Sequence, residues 1–180
     1  MDATCEKTIY TIGHSTHSIK EFISMLQSFN IQTLVDVRSL PGSRKFPQFN
    51  AENLKISLIE NNIEYIYLKD LGGRRILQKD SMNDLWRNPS FRSYADYMET
   101  PEFEKAIHEL EEIACHQTVA FMCAEAVWWR CHRSMISDYL KAKSWTVLHI
   151  MAEGKSTEHP YTSPARIEGD HVYYHEKTIQ

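Results

Sequence analysis

Hydrophobic residues recur along this chain in two alternating periods. Apolar runs of strand length fall at residues 8–12, 33–37, 64–68, 118–122 and 146–150, and most of the segments between them repeat apolar positions three and four residues apart, as one face of a helix requires. Ser18-Ile19-Lys20-Glu21 forms a capping box, and Ile19, Phe22, Ile23 and Leu26 continue it as a single stripe. Asn50 is placed to cap a second helix running to about Asn61, while Phe91, Tyr94, Ala95 and Met98 mark a shorter one. Thr100-Pro101 opens another with Phe103, Ala106, Ile107 and Leu110 on its apolar face, and Met135, Ile136, Tyr139 and Leu140 outline the last.

Strands alternating with helices imply parallel pairing through right-handed crossovers. The expectation is a single α/β domain over residues 1–180: a doubly wound, mainly parallel sheet of about five or six strands with helices on both faces. The two longest irregular stretches, 38–49 and 69–89, both follow strands, and loops of that length usually serve a function. Beyond Ile150 the pattern weakens, so the tail is expected to be partly irregular, with an edge strand at 171–175.

Composition narrows the class. A chain of 180 residues buries roughly 70% of its unfolded surface and needs no covalent staple. Its four cysteines, at positions 5, 115, 123 and 131, form no CxxC pair, and no segment approaches the ~20 apolar residues of a membrane span. These features point to a cytoplasmic protein with reduced thiols and no membrane partner. The net charge of −4 argues against coating nucleic acid by bulk attraction. The charge is unevenly spread, however: Glu102, Glu104, Glu109, Glu111 and Glu112 sit on a predicted helix, whereas Arg38, Arg44, Arg74, Arg75, Arg130 and Arg133 fall near strand ends. Guanidinium forks at such positions suit phosphate or carboxylate.

Open α/β sheets bind ligands beyond the carboxyl ends of their strands, and each predicted strand here ends in reactive or glycine-rich sequence. The first gives Gly13-His14-Ser15, the second Asp36 and Arg38, the third Gly72-Gly73-Arg74-Arg75 and the fifth Glu153-Gly154. The fourth is the densest, running from Cys123 and Glu125 through Trp128-Trp129-Arg130 to Cys131-His132-Arg133. Glu125, beside two tryptophans, is expected either to be partly desolvated and suited to acid–base work or to pair with Arg133 or Arg38. Asp36 either activates water or fixes Arg38 or a loop amide. Cys123 is either a nucleophile activated by a helix N-terminus, His132 or His14, or a small buried hydrophobe. His132 is read as a hydrogen-bond donor facing the crevice or as a buried cap.

Zinc on Cys123, Cys131 and His132, completed by His14 or Cys115, has poor ligand spacing, so no metal and no cofactor is expected. A cysteine-phosphatase cradle needs five residues between cysteine and arginine, whereas six separate Cys123 from Arg130 and include bulky Val127, Trp128 and Trp129. Tyr65, Tyr67, Phe46 and Phe49 join the tryptophans as candidates for stacking on bases. Of the adjacent Trp128 and Trp129, one is expected to be exposed.

Thr11-Ile12-Gly13-His14-Ser15, then Leu34-Val35-Asp36-Val37-Arg38 with Pro41 and Ser43-Arg44, then Cys123-Ala124-Glu125 and Cys131-His132-Arg133 stand in an order that resembles the family called domain of unknown function 488. His159-Pro160-Tyr161 and Ala165-Arg166 extend the resemblance, which spans about residues 8–166. It implies a compact α/β domain and no settled reaction. Val127-Trp128-Trp129 departs from the more polar loop expected there.

Together these residues suggest an enzyme whose rim binds an anionic substrate, a nucleotide or nucleic acid, and performs acid–base hydrolysis or group transfer. Base excision or lesion processing of DNA is one concrete form. Glu125 would act on water, oriented by Asp36 and His14, with Cys123 and His132 as further catalytic candidates. Ser15, Arg38, Arg44, Arg74, Arg75, Trp128, Trp129 and Arg133 would hold the substrate. Rhodanese-like or redox thiol chemistry through Cys123, and a noncatalytic anion-binding module, are the alternatives.

Overall fold

Continuous apolar runs bury both faces of a strand, and that is how the centre of this protein is built. In the computed structural model, which describes residues 4–177, β1 (Thr8–Gly13), β2 (Thr33–Asp36), β3 (Glu64–Tyr67), β4 (Val119–Cys123) and β5 (Thr146–Ala152) all run parallel. Five helices connect them: α1 (Ile19–Gln27), α2 (Ala51–Glu60), α3 (Pro89–Tyr97), α4 (Pro101–His116) and α5 (Arg133–Ala142). The Ser18 hydroxyl accepts from the Glu21 amide at the start of α1, and Thr100 and Asn88 cap α4 and α3 in the same way. Asn50 precedes α2 as expected, but its side chain caps nothing; it accepts from the Ser43 amide and ties down the preceding loop.

The strand order is β3-β2-β4-β1-β5-β6. The chain first travels from β1 through β2 to β3, then returns to insert β4 between β2 and β1 before reaching β5. Right-handed crossovers in opposite directions put their helices on opposite faces, and strand parity records the result. Leu34, Ala120 and Met122 pack with α1 and α2 residues such as Phe22 and Leu54, whereas Val35, Val119 and Phe121 pack with Phe103, Ile107, Met135 and Ile136 from α4 and α5. The doubly wound α/β fold is therefore present, and its switch point lies at the carboxyl ends of β2, β4 and β1.

Three expectations need correction. The sixth strand is β6 (Lys155–Glu158), antiparallel to β5, a wholly exposed edge whose polar sequence carries no buried-strand pattern. The strand expected at 171–175 is shorter, β8 (His171–Tyr173), and pairs with β7 (Arg166–Glu168) as a separate two-stranded sheet. Cys5 and Cys115 are joined in a disulfide, so only Cys123 and Cys131 are free thiols. Their 110-residue separation hides the pairing from any local pattern. No helix among the described residues is long and apolar enough to cross a membrane.

A buried polar seam fixes the tail that follows β5. The Asp138 carboxylate, on α5, accepts from His159 Nε2, the Thr162 amide and hydroxyl, and the Tyr174 hydroxyl. His159 Nδ1 meets His149 Nε2 at 2.8 Å, and His149 Nδ1 meets the Thr11 hydroxyl. With Asp138 accepting, each donor in the chain is set: His159 to Asp138, His149 to His159, Thr11 to His149. The Trp128 ring stacks on His149 with centroids 4.7 Å apart. Burial, His159 and Arg133 together lower the His149 pKa from 6.5 to about 2.

His149 therefore stays neutral in the folded protein while its unfolded counterpart protonates below about pH 6.5. Protons bind the unfolded chain preferentially in that window, so this histidine causes stability to fall as pH drops from 6.5 towards 2. Urea unfolding at pH 7 and pH 5 should show His149→Asn losing about 2 kcal/mol less than the parent protein across that interval.

Candidate functional site

The backbone closes the switch point before any side chain acts there. The His14 and Ser15 amides donate to the carbonyls of Cys123 and Ala124, extending the β1–β4 ladder beyond the strand ends. Gly13 lies directly beneath this crossing: a Cβ on it would stand 1.7 Å from the Glu125 carbonyl oxygen and 3.2 Å from an Arg133 nitrogen. Only glycine lets the two segments approach so closely.

Arg133, the first residue of α5, is buried, with one terminal guanidinium nitrogen donating to the Glu125 carbonyl at 3.1 Å. It makes no ion pair among the described residues, and its buried Nε has no hydrogen-bond partner. A buried cation without a carboxylate is costly, and here it stands at the positive end of a helix, which adds to the cost. The Cys131 sulfur accepts from the backbone amide of Arg133 at 3.4 Å.

The Cys131 and Cys123 sulfurs are 2.6 Å apart, and both cysteines are buried at the wall of a cavity of about 380 Å³. Burial pushes the Cys123 thiol well up, and hydrogen bonding to Cys131 and its charge reinforce the shift. Burial works against ionisation of Cys131 too, but the Cys123 S–H, the Arg133 charge and the Arg133 amide outweigh it and lower the Cys131 pKa. Ionisation is therefore easier at Cys131 than at Cys123. His132 donates through Nε2 to the Val37 carbonyl at 2.9 Å, leaving Nδ1 facing the Cys131 sulfur at 3.5 Å. Burial lowers the His132 pKa, so the ring is neutral near pH 7. Gly73 packs against that ring, where a Cβ would come within 2.6 Å of Nδ1.

Arg74, Arg130, Glu125, Ser39 and the start of α3 at Asn88 and Ser90 complete the cavity wall. Arg74 and Arg130 are exposed and lend the mouth positive charge. Glu125 is exposed as well, and Arg133 engages its backbone carbonyl rather than its carboxylate, so the expected desolvated acid and the expected Arg133 ion pair are both corrected. Arg38 also lines the cavity, but its fork is closed on Asp36, with contacts of 2.9 and 2.8 Å, and donates to the Phe49 carbonyl.

Other predicted site residues lie elsewhere. Asp36 is fully buried and accepts from the Arg38 side chain and amide and from the Tyr65 hydroxyl; it fixes an arginine and a loop amide, leaving no lone role for it at water. His14 is buried against Phe49, with ring centroids 4.3 Å apart, and its pKa is lowered by burial. Both lie outside the cavity wall, so the expected convergence of His14, Asp36, Arg38, Glu125 and His132 is only partial. Ser15 and Arg44 also lie outside it, Arg44 in solvent. Arg75 stacks on Tyr97 and donates to the Gly72 and Asp70 carbonyls. Trp129 is 52% exposed and Trp128 packs on His149, so the tryptophans divide as expected. Tyr65 and Tyr67 use their hydroxyls on Asp36 and on the Ser39 carbonyl.

Cys131 escaped the sequence reading except as a zinc ligand, and no group of metal-binding residues forms among the described residues. Its position at the start of a helix beside an arginine was the available signal. The Asn88-Pro89 pair, a helix-start signature after a long loop, could have placed α3 at the cavity mouth.

A family model described as Domain of unknown function DUF488 matches residues 18–140, most of the chain. No curated protein and no solved structure matches. The matched segment contains Asp36, Arg38, Glu125, both free cysteines and Arg133; the 11–15 and 159–166 blocks lie outside it.

Gly13→Ala should destabilise the protein by about 2–3 kcal/mol through the clash with the Glu125 carbonyl. Gly42→Ala, where a Cβ meets nothing within 4 Å, should stay within about 0.5 kcal/mol of the parent. Denaturant unfolding of the two variants measures both effects.

Proposed function

The chain belongs to the family described as Domain of unknown function DUF488, and we propose that it is a thiolate enzyme acting on an anionic substrate, with Cys131 as the nucleophile. The observation that carries this reading is the placement of the Cys131 sulfur, which meets the Cys123 sulfur and accepts from the Arg133 amide at the start of a helix whose first residue is a buried, carboxylate-free arginine. A thiolate is the reactive form of cysteine, and a helix start beside an arginine is the environment that favours it. Arg74 and Arg130 would draw the anion into the cavity. A nucleotide is one member of that substrate class.

A second reading, hydrolysis of a nucleotide or nucleic acid through Glu125, as in base excision, has one support. The carboxylate is exposed in the same cavity as Arg74 and Arg130. It has no second carboxylate beside it, because Asp36 is closed on Arg38. The thiolate proposal requires Cys123 and Cys131 to be reduced; the Cys5–Cys115 disulfide counts against the expected cytoplasmic setting.

Iodoacetate, an anionic alkylating probe, should modify Cys131 in the folded protein at pH 7, with a half-maximal rate at a pH below the 9.0 of an ordinary thiol. Joint replacement of Arg74 and Arg130 by Ala should slow iodoacetate roughly tenfold while leaving neutral iodoacetamide almost unaffected. A Cys131 inert to both reagents at pH 7 would refute the thiolate. Oligonucleotide cleavage that survives Cys131→Ser and disappears in Glu125→Gln would put the hydrolytic reading in its place.

A further inference from the structure

We infer that Cys123 is the resolving partner of Cys131, so that the site reduces a sulfur–sulfur bond in an anionic disulfide and closes its own Cys123–Cys131 bond in doing so. This inference rests on the thiolate reading and names the substrate class for it. Its basis is geometric: two free cysteines, eight positions apart across an irregular loop, meet at 2.6 Å on the wall of one cavity. Their sulfurs need to close by only about 0.5 Å to bond. A cysteine with a purely packing role has no need of a second thiol at such range, or of a cation buried beside it.

The two sulfurs differ in the way a two-step exchange requires. Cys131 lies at the start of α5, takes the Arg133 amide and ionises more readily than Cys123, so it attacks first. Its thiolate displaces one half of the substrate R–S–S–R: a Cys131–S–R bond forms, the substrate bond breaks and RS⁻ departs. Cys123 cannot compete in that step because its proton is held by burial and by the neighbouring thiolate. Once Cys131 is bonded to the substrate, that thiolate is gone. The hydrogen bond and the negative charge that opposed ionisation of Cys123 vanish together, while the Arg133 cation remains and favours it.

Cys123 then releases its proton to the departing sulfur and attacks the Cys131 sulfur. The Cys123–Cys131 bond forms, the Cys131–S–R bond breaks, and the second half leaves as RSH. Across both steps R–S–S–R gains two electrons and the protein dithiol loses them. The products are RS⁻, RSH and the internal disulfide. A dithiol reductant in the external pool must then restore the pair before another turn.

The reaction also accounts for the cations around the sulfurs. The first step expels a thiolate and each step has a thiolate attack, and a buried Arg133 with no carboxylate stabilises negative charge on the attacking sulfur. Arg74 and Arg130 at the mouth suit a disulfide bearing carboxylates.

Oxidised glutathione, an anionic disulfide, is the probe. The full-length protein is incubated with it at pH 7.5, quenched with N-ethylmaleimide and mapped by peptide mass spectrometry, with released glutathione thiol counted in parallel. The parent protein should yield a Cys123–Cys131 cross-linked peptide, two thiols released per protein and no lasting adduct. Cys123→Ser should stop at a glutathione adduct on Cys131 with one thiol released, and Cys131→Ser should react at least about tenfold more slowly at Cys123. A stable Cys131 adduct in the parent protein, without the cross-link, overturns the resolving step and leaves the thiolate reading standing. If neither glutathione nor iodoacetate modifies Cys131, the thiolate reading itself fails. Modification by iodoacetate alone overturns the disulfide substrate class only.

Discussion

A guanidinium buried without a carboxylate is the constraint around which this end of the sheet is organised. Arg133 sits where the α5 dipole is already positive; its guanidinium donates to a carbonyl and its backbone amide to a sulfur. The Glu125 carbonyl can reach it only because Gly13 has no side chain, so a glycine on β1, a loop after β4 and the start of α5 are locked into one arrangement. The same arrangement makes the two cysteines unequal: the Arg133 charge and amide favour ionisation of Cys131, while burial and the neighbouring sulfur oppose it at Cys123.

The sheet divides the remaining polar chemistry into two closed systems. On the α1–α2 side, Asp36, Arg38, Tyr65 and the Phe49 carbonyl satisfy one another, and His14 packs on Phe49 beside them. That cluster shapes the loop after β2 and holds Val37, whose carbonyl fixes the His132 tautomer. The α5 side carries the thiols at its rim and the Asp138 seam in its interior. Because α5 bears Arg133 at its start and Asp138 within it, the helix that follows Cys131 also anchors the tail after β5. Trp128 joins the two, lying in the loop that carries Glu125 and stacking on His149.

Much of the fold could be read in advance. The five parallel strands, the helix starts at Ser18 and Thr100, and the gathering of polar residues at strand ends all follow from local rules: period, capping geometry and the placement of polar residues after apolar runs. Errors appeared where no local rule applies. β6 is an exposed polar edge, and its pairing is dictated by β5 rather than by its own sequence. Asp36 and Glu125 looked equivalent as carboxylates just past buried strands, yet one is sealed against an arginine and the other faces solvent. Strand parity and the helices above each face decide that difference.

Sequence by itself determined the alternation of elements, the helix caps at Ser18 and Thr100 and the rim at which polar and thiol side chains gather, because each depends on residues within about one turn or one strand of each other. Tertiary structure alone decided which sulfur meets which, that Cys5 bonds Cys115, that Arg133 is buried without a counter-charge, and that His149 reaches Asp138 through His159. These contacts span irregular loops or opposite ends of the chain. The distance between such residues is set by how the sheet is wound, and no spacing along the polypeptide encodes it.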